Sequence, residues 1–266
     1  MKTVDIKDQY FMDDSREGER LEKKVNAGGF VDKYLKEHLD NFSDMKILEA
    51  GCGPGMFLEV LGNNYTNHKI TGIDISEQRI EQANAKLSAL NNAKAIQADI
   101  YNLPFPDDYF DLIYSRFLFE YLQQPVNAAT ELYRVCKPGG KLLLQDLDSQ
   151  FSFYPELSHQ LKTVLQSLQQ RTGFDPDIGR KLFSIGKSGG FSFLNICTEM
   201  YHKVFGKIDN FNYDLWTLKL EIAFKNINLI LNADSIEKLK SEMLQSLQCE
   251  NSVMFSNLFT LTFKKS

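Results

Sequence analysis

The chain of 266 residues has one tryptophan, four cysteines and seven prolines. Cys52, Cys136, Cys197 and Cys249 stand far apart, with no CxxC pair and no Cys/His cluster. That excludes a zinc ribbon or a thioredoxin-type redox motif and fits a reducing, cytoplasmic setting. No apolar run approaches the ~20 residues that cross a bilayer, so no membrane insertion is expected. Met1 to Asp14 mixes charge and polarity without an apolar h-region, so no secretory leader is expected. Internal repeats and low-complexity linkers are lacking as well. The 30 Lys and Arg residues are outnumbered by 35 Asp and Glu, for a net charge of −5. No basic stripe of the kind that grips a phosphate backbone is present, and the pairs Lys23-Lys24 and Lys264-Lys265 read as solvated surface. Nucleic acid is therefore not the expected partner.

What is there is periodicity. Hydrophobic residues make up 43% of the chain, and from about residue 45 to 147 they alternate between strand and helix patterns. Arg16 to Asn26 and Phe30 to Leu39 read as helices. Met45–Ala50, Lys69–Asp74, Ala93–Gln97, Tyr109–Ser115 and Lys141–Leu147 read as strands. Helices are expected from the glycine-rich loop to Leu61, from the cap Ser76 to Leu90, and from Pro125 to Cys136, where Pro138-Gly139-Gly140 stops the last one. Further on, Glu156–Gln170 reads as helix, Asp175 as the cap of another that ends at Gly189-Gly190, Phe191–Phe205 as an irregular strand, Asp209–Gln248 as mostly helix and Val253–Lys264 as a final strand.

This βαβαβ order predicts an α/β fold: a Rossmann-like three-layer sandwich with a mostly parallel sheet, an antiparallel last strand and a helical cap insertion near the C-terminus. The expected division is 1–42 as N-terminal helices covering the site, 43–208 as the core, 209–250 as the cap and 251–266 as the final core strand. Ligands of such sheets bind outside the carboxyl ends of the strands.

The strongest signal is Leu48-Glu49-Ala50-Gly51-Cys52-Gly53-Pro54-Gly55, at such an end. Its glycines let the chain turn sharply from strand to helix and approach a nucleoside closely. A dinucleotide fingerprint, G-x-G-x-x-G, would need its third glycine at Met56, so a nicotinamide site is disfavoured. Glu49 to Gly55 resembles the first motif of class I S-adenosylmethionine-dependent methyltransferases, commonly E/D-x-G-x-G-x-G. Gly72-Ile73-Asp74-Ile75-Ser76, Gln97-Ala98-Asp99-Ile100, Phe110-Asp111 and Arg134-Val135-Cys136-Lys137-Pro138-Gly139-Gly140 resemble, in order, the later motifs of that family. The resemblance covers about residues 45 to 147. It implies S-adenosylmethionine as cofactor, S-adenosylhomocysteine as product, and a set of binding residues. Gly51, Cys52, Gly53 and Gly55 would form the loop, with Glu49 orienting it or meeting the cofactor's amino group indirectly. Asp74 with Ile75 would hold the ribose, Asp99 with Ile100 the adenine, and backbone at Ser115, Arg116 and Phe117 would lie against the methionine portion. Asp99 also suits a plain turn. Arg20 resembles a closing-helix residue that pairs with the cofactor carboxylate, and suits a solvated helix position equally.

No catalytic residue announces itself. The candidates for a general base are Asp146, His159, His202, Glu120 and Tyr10. Asp146 is expected at the cavity mouth, at the end of the fifth strand. Asp146-Leu147-Asp148 lacks a nearby His or a third spaced carboxylate, so no metal is expected. Phe117, Phe119, Tyr121, Phe151, Phe153 and Tyr154 are expected either to line an apolar acceptor pocket or to pack as core, with Trp216 closing it from the cap. The segment Tyr114-Ser115-Arg116-Phe117 departs from the N/D-P-P-Y/F pattern of enzymes that methylate base amines or glutamine amides. With the acidic charge, that favours a small-molecule acceptor. A protein acceptor, and a catalytically silent scaffold of the same fold, are the alternatives. The acceptor atom and the oligomeric state are not legible.

Overall fold

The structure is a computed structural model that describes residues 12, 14–40, 42–225 and 233–266. Its centre follows from burial. The strands β1 (Lys46–Ala50), β2 (Lys69–Asp74) and β4 (Phe110–Arg116) are buried along nearly their whole length, as parallel strands covered on both faces must be. Successive side chains point to opposite faces. Leu48, Ile113, Leu142 and Leu144 therefore pack on one side, while Ile47, Leu112, Tyr114 and Leu143 pack on the other.

Each face is covered by helices of matching pattern. On the second face lie α4 (Met56–Asn64), α5 (Glu77–Leu87) and the N-terminal helical stretch of α2 (Ala27–Phe30) and α3 (Lys36–Leu39), joined by a π-helical segment Val31–Leu35. On the first face lie α6 (Pro125–Val135), through Ala128, Ala129, Leu132 and Val135, and α8 (Leu182–Ser188). The strand order is β3-β2-β1-β4-β5-β7-β6, with β3 at Ala93–Gln97. The β3, β2, β1, β4 and β5 neighbours pair in parallel, and β7 (Val253–Lys264) is antiparallel to both β5 and β6 (Ser192–Phe205). This is the three-layer, mostly parallel sandwich expected. Strand order reverses between β1 and β4, the switch point where such sheets bind ligands.

Three expectations are corrected. The fifth strand, β5, runs from Cys136 to Tyr154 rather than from 141 to 147. Pro138-Gly139-Gly140 stops α6 but is itself drawn into the ladder, because Gly139 donates its N–H to Lys265 and Gly140 accepts from it. No helix starts at Asp175: its carboxylate caps a turn at Asp177, and helix resumes only with the 3-10 turn Gly179–Lys181 before α8. The Lys24 and Lys265 side chains are not solvated surface. Lys265 is 9% exposed and donates to Asp108 and to the Tyr133 carbonyl, and Lys24 turns inward, as described below.

Beyond the sheet, β5 and β7 continue as an antiparallel pair, Ser152–Tyr154 against Val253–Phe255. A third core gathers there from α7 (His159–Thr172), α9 (Asn210–Lys225) and α10 (Ala233–Leu247). The N-terminal helix α1 (Ser15–Lys24) packs against α9. Together α1 and α9 roof the carboxyl ends of the strands.

Candidate active site

Between that roof and the strand ends lies a cavity of about 570 Å³. Its floor begins where β1 ends. The Gly51 and Cys52 N–H groups both donate to the Ile73 carbonyl, at 2.9 and 2.8 Å, and pin the loop to β2. Gly53 has φ +50, and a Cβ built on it would meet nothing within 4 Å, so its backbone faces open space in the cavity. Gly55 does not line the cavity. At φ +79 it begins α4, and a Cβ there would come 2.8 Å from the Ala83 Cβ, so glycine is required for α4 to pack on α5.

Asp74, at the end of β2, accepts from the Gly53 N–H at 2.9 Å with one oxygen and from the Ser76 N–H at 3.0 Å with the other. It thereby ties the glycine loop to the start of α5. Ser76 occupies the cap position of α5 without a side-chain capping bond. Ile75, 57% exposed, presents its side chain along the cavity beside Asp74. Asp99 and Ile100 follow β3 into the same space, where Asp99 also accepts from the Tyr101 N–H at 3.0 Å and so serves the turn as well. Glu49 lines the cavity from β1, 2% exposed. Its Oε2 has no hydrogen-bond partner among the described residues, and burial raises its carboxyl to about 8. It is held as a neutral acid at pH 7.

At the end of β4, Arg116 reaches the cavity. Its guanidinium lies 3.9 Å from the Phe117 ring centroid and its Nε donates to Gln145 at 2.8 Å. Ser115 does not reach it: the side chain is buried in the sheet and donates to the Ala50 carbonyl at 3.0 Å. From the roof, Arg20 lines the cavity, held in a bidentate pair with Glu17, both bonds 2.7 Å.

Of the base candidates, Glu120 lines the cavity. It sits on the 3-10 turn Phe119–Tyr121, accepts from Gln150, and is raised by burial above the usual carboxylate range. Asp146 is not at the mouth. It is 1% exposed within the long β5 and accepts from the Glu120 N–H at 3.1 Å, so it fixes the turn that carries Glu120. Burial and the neighbouring Glu120 charge push its carboxyl well up. His159 is exposed on α7, where it pairs with Thr163. His202 lies behind the lining, between Ser256 (2.7 Å) and Lys24 (3.4 Å), and is driven well below its ordinary value by burial and then by Lys24. Tyr10 lies outside the described residues.

Among the aromatics, Phe117 and Tyr121 line the cavity. Phe119 and Phe153 are core, Phe151 is partly buried and packs on Phe174, and Tyr154 is 69% exposed. Trp216 is buried against His202, and Lys219, one turn further along α9, reaches the cavity instead. Lys24, Lys219 and Tyr201 are lining residues that the sequence did not reveal. The spacing Glu17, Arg20, Lys24 places three charges on one helical face, and that was the one available signal. Among the described residues no three His, Cys, Asp or Glu side chains gather to hold a metal ion, and no helix is long and apolar enough to cross a membrane.

This strand order, with a glycine loop after β1 and an acidic residue ending β2, is the fold of class I S-adenosylmethionine-dependent methyltransferases. The family described as methyltransferase domain matches residues 48–144. An uncharacterized methyltransferase of Schizosaccharomyces pombe is 31% identical over 147 residues, 52% of this chain and 53% of that protein. A malonyl-acyl-carrier-protein O-methyltransferase of Erwinia billingiae is 36% identical over 157 residues, 56% and 57% of the two chains. The chain thus spans about half the length of the curated relatives it matches. The solved phosphoethanolamine N-methyltransferase 2 of Haemonchus contortus superposes with a TM-score of 0.62 at 17% identity, over 100% of this chain and 62% of that one, and shares the fold.

Proposed function

We propose that this chain transfers a methyl group from S-adenosylmethionine to a small-molecule acceptor. The observation that carries this reading is the convergence of Gly53, Asp74, Asp99 and Glu49 on one side of a roofed cavity, with room beyond them for a second reactant. The residues suit the cofactor. Open space over Gly53 admits a ligand against the backbone, and the unpartnered buried Glu49 Oε2 is a polar atom that a bound amino group would satisfy. In this reading Asp74 holds the ribose hydroxyls, Asp99 and Ile100 the adenine, and the loop and Arg116 the methionine portion.

When bound, the cofactor supplies a methyl group already activated by its sulfonium, so the protein has mainly to position the acceptor and keep water out. The α1 and α9 roof covers part of the cavity. Phe117 and Tyr121 offer aromatic faces beside the reacting region. Glu120, a cavity-lining carboxylate raised by burial, is the group placed to accept a proton from an acceptor that must lose one.

The test is formation of S-adenosylhomocysteine, followed by mass spectrometry. Purified protein and S-adenosylmethionine are mixed either with the low-molecular-weight fraction of a cell extract or with its protein fraction. Product formed with the small-molecule fraction supports the reading. Product formed only with the protein fraction moves the acceptor to protein, and none with either supports the silent scaffold.

A further inference from the structure

The roof side of the cavity carries a cationic cluster that the cofactor reading leaves unused. Lys24 at the end of α1 and Lys219 on α9 both line it. Among the described residues neither has a carboxylate within ion-pair distance. Lys24 approaches His202 at 3.4 Å and lies 5.1 Å from the Tyr201 ring centroid, and Lys219 lies 5.1 Å from that of Trp216. The acids around them, Glu120 and Glu17, offset their charge only in part. Glu17 is engaged by both nitrogens of the Arg20 fork. Glu120 accepts from Gln150; burial raises its carboxyl while Lys219 and Lys24 lower it, so this one acid is shared between two ammonium groups. Arg20 and Arg116 add positive charge, and His202 is neutral. Both are half-buried at the cavity wall, where desolvation penalises the ammonium. That cost appears here as Lys24 pulled down to about 7 and Lys219 to about 8, each by burial first and then by a neighbouring cation. The cavity wall also offers apolar and aromatic side chains: Leu21, Phe117, Tyr121, Leu147 and Tyr201.

We propose that the acceptor is an anion, with a carboxylate or phosphate monoester head held between Lys24 and Lys219 and an apolar body against the aromatic lining. This deepens the methyltransferase reading and rests on it. The lysines supply point charges that either head satisfies, and the bound head adds counter-charge where Glu17 and Glu120 face Arg20, Arg116 and the two lysines together.

The test is calorimetry on the full chain. S-adenosylhomocysteine is titrated first. Then hexanoate and hexyl phosphate are compared with their neutral counterparts hexanamide and hexanol, on wild type and on the Lys24→Met/Lys219→Met double variant, in two buffers of different ionisation enthalpy at pH 8. The anionic probes should bind wild type roughly tenfold or more tighter than the neutral ones. Their binding should draw protons from the buffer as the lysines regain charge, and both effects should vanish in the double variant. The stronger of the two anions identifies the head. Equal binding of charged and neutral probes after S-adenosylhomocysteine has bound, or a preference that survives the double substitution, overturns the proposal alone. Failure of S-adenosylhomocysteine to bind overturns the cofactor reading and this proposal together. If the double variant does not fold, the wild-type preference and its proton uptake decide.

Discussion

At the scale of single residues, the glycine loop separates two requirements that look identical in sequence. Gly53 and Gly55 both have left-handed backbone, but only Gly55 would drive a Cβ into a neighbour, 2.8 Å from Ala83. Gly55→Ala should destabilise the protein by about 1–3 kcal/mol, read as a lower urea midpoint, with S-adenosylhomocysteine affinity retained in the folded fraction. Gly53→Ala should lose about 1 kcal/mol from its left-handed backbone alone, with no added clash, and should also lose affinity, because its Cβ would occupy cavity space. The motif residues were legible because a nucleoside needs them within a few positions of a strand end, a constraint that local sequence expresses. Lys24 and Lys219 were not legible, because 195 positions separate them and only the packing of α1 on α9 brings them to one cavity. Asp146 was misplaced for a related reason: its surroundings depend on how far β5 continues, and that is set by β7.

At the scale of elements, the roof helix α1 depends on a buried ion pair. The Arg20 and Glu17 side chains are 6% and 2% exposed. Arg20→Met strands the Glu17 carboxylate out of water, which should cost about 3–5 kcal/mol at pH 7. Adding Glu17→Gln should recover much of that loss, because a neutral amide is cheaper to bury. Equilibrium denaturation of the three proteins measures this, and equal losses for the single and double variants would show that the pair does not hold the helix. The parallel strands β1 to β4 were legible from their short apolar runs. β5 was read too short, because Lys141–Leu147 is its only apolar run and the polar remainder is held by pairing with β7. The start of the helix after Asp175 was misread because an aspartate caps turns as readily as helices.

At the scale of the whole molecule, the fold buries acids it does not ionise. Glu49 stands at about 8 in the folded protein against an ordinary 4.5, because burial penalises its charge. A raised acid lends its full stability only below the ordinary value and loses it as pH climbs through the folded one. Between pH 5 and 8 the ligand-free wild type should therefore lose on the order of 3–5 kcal/mol relative to Glu49→Gln, which has no such charge to form. Parallel denaturation curves across that range would refute this. Glu120 and Asp146 shift in the same direction, so the comparison with the variant isolates Glu49. The central claim is that the cavity takes a sulfur nucleoside through Asp74 and the glycine loop, and calorimetric titration tests it most directly. S-adenosylmethionine and S-adenosylhomocysteine should bind wild type in the micromolar range, Asp74→Ala should bind them at least about tenfold more weakly, and NAD should not bind. No binding of either sulfur nucleoside, or affinity unchanged in Asp74→Ala, would contradict it.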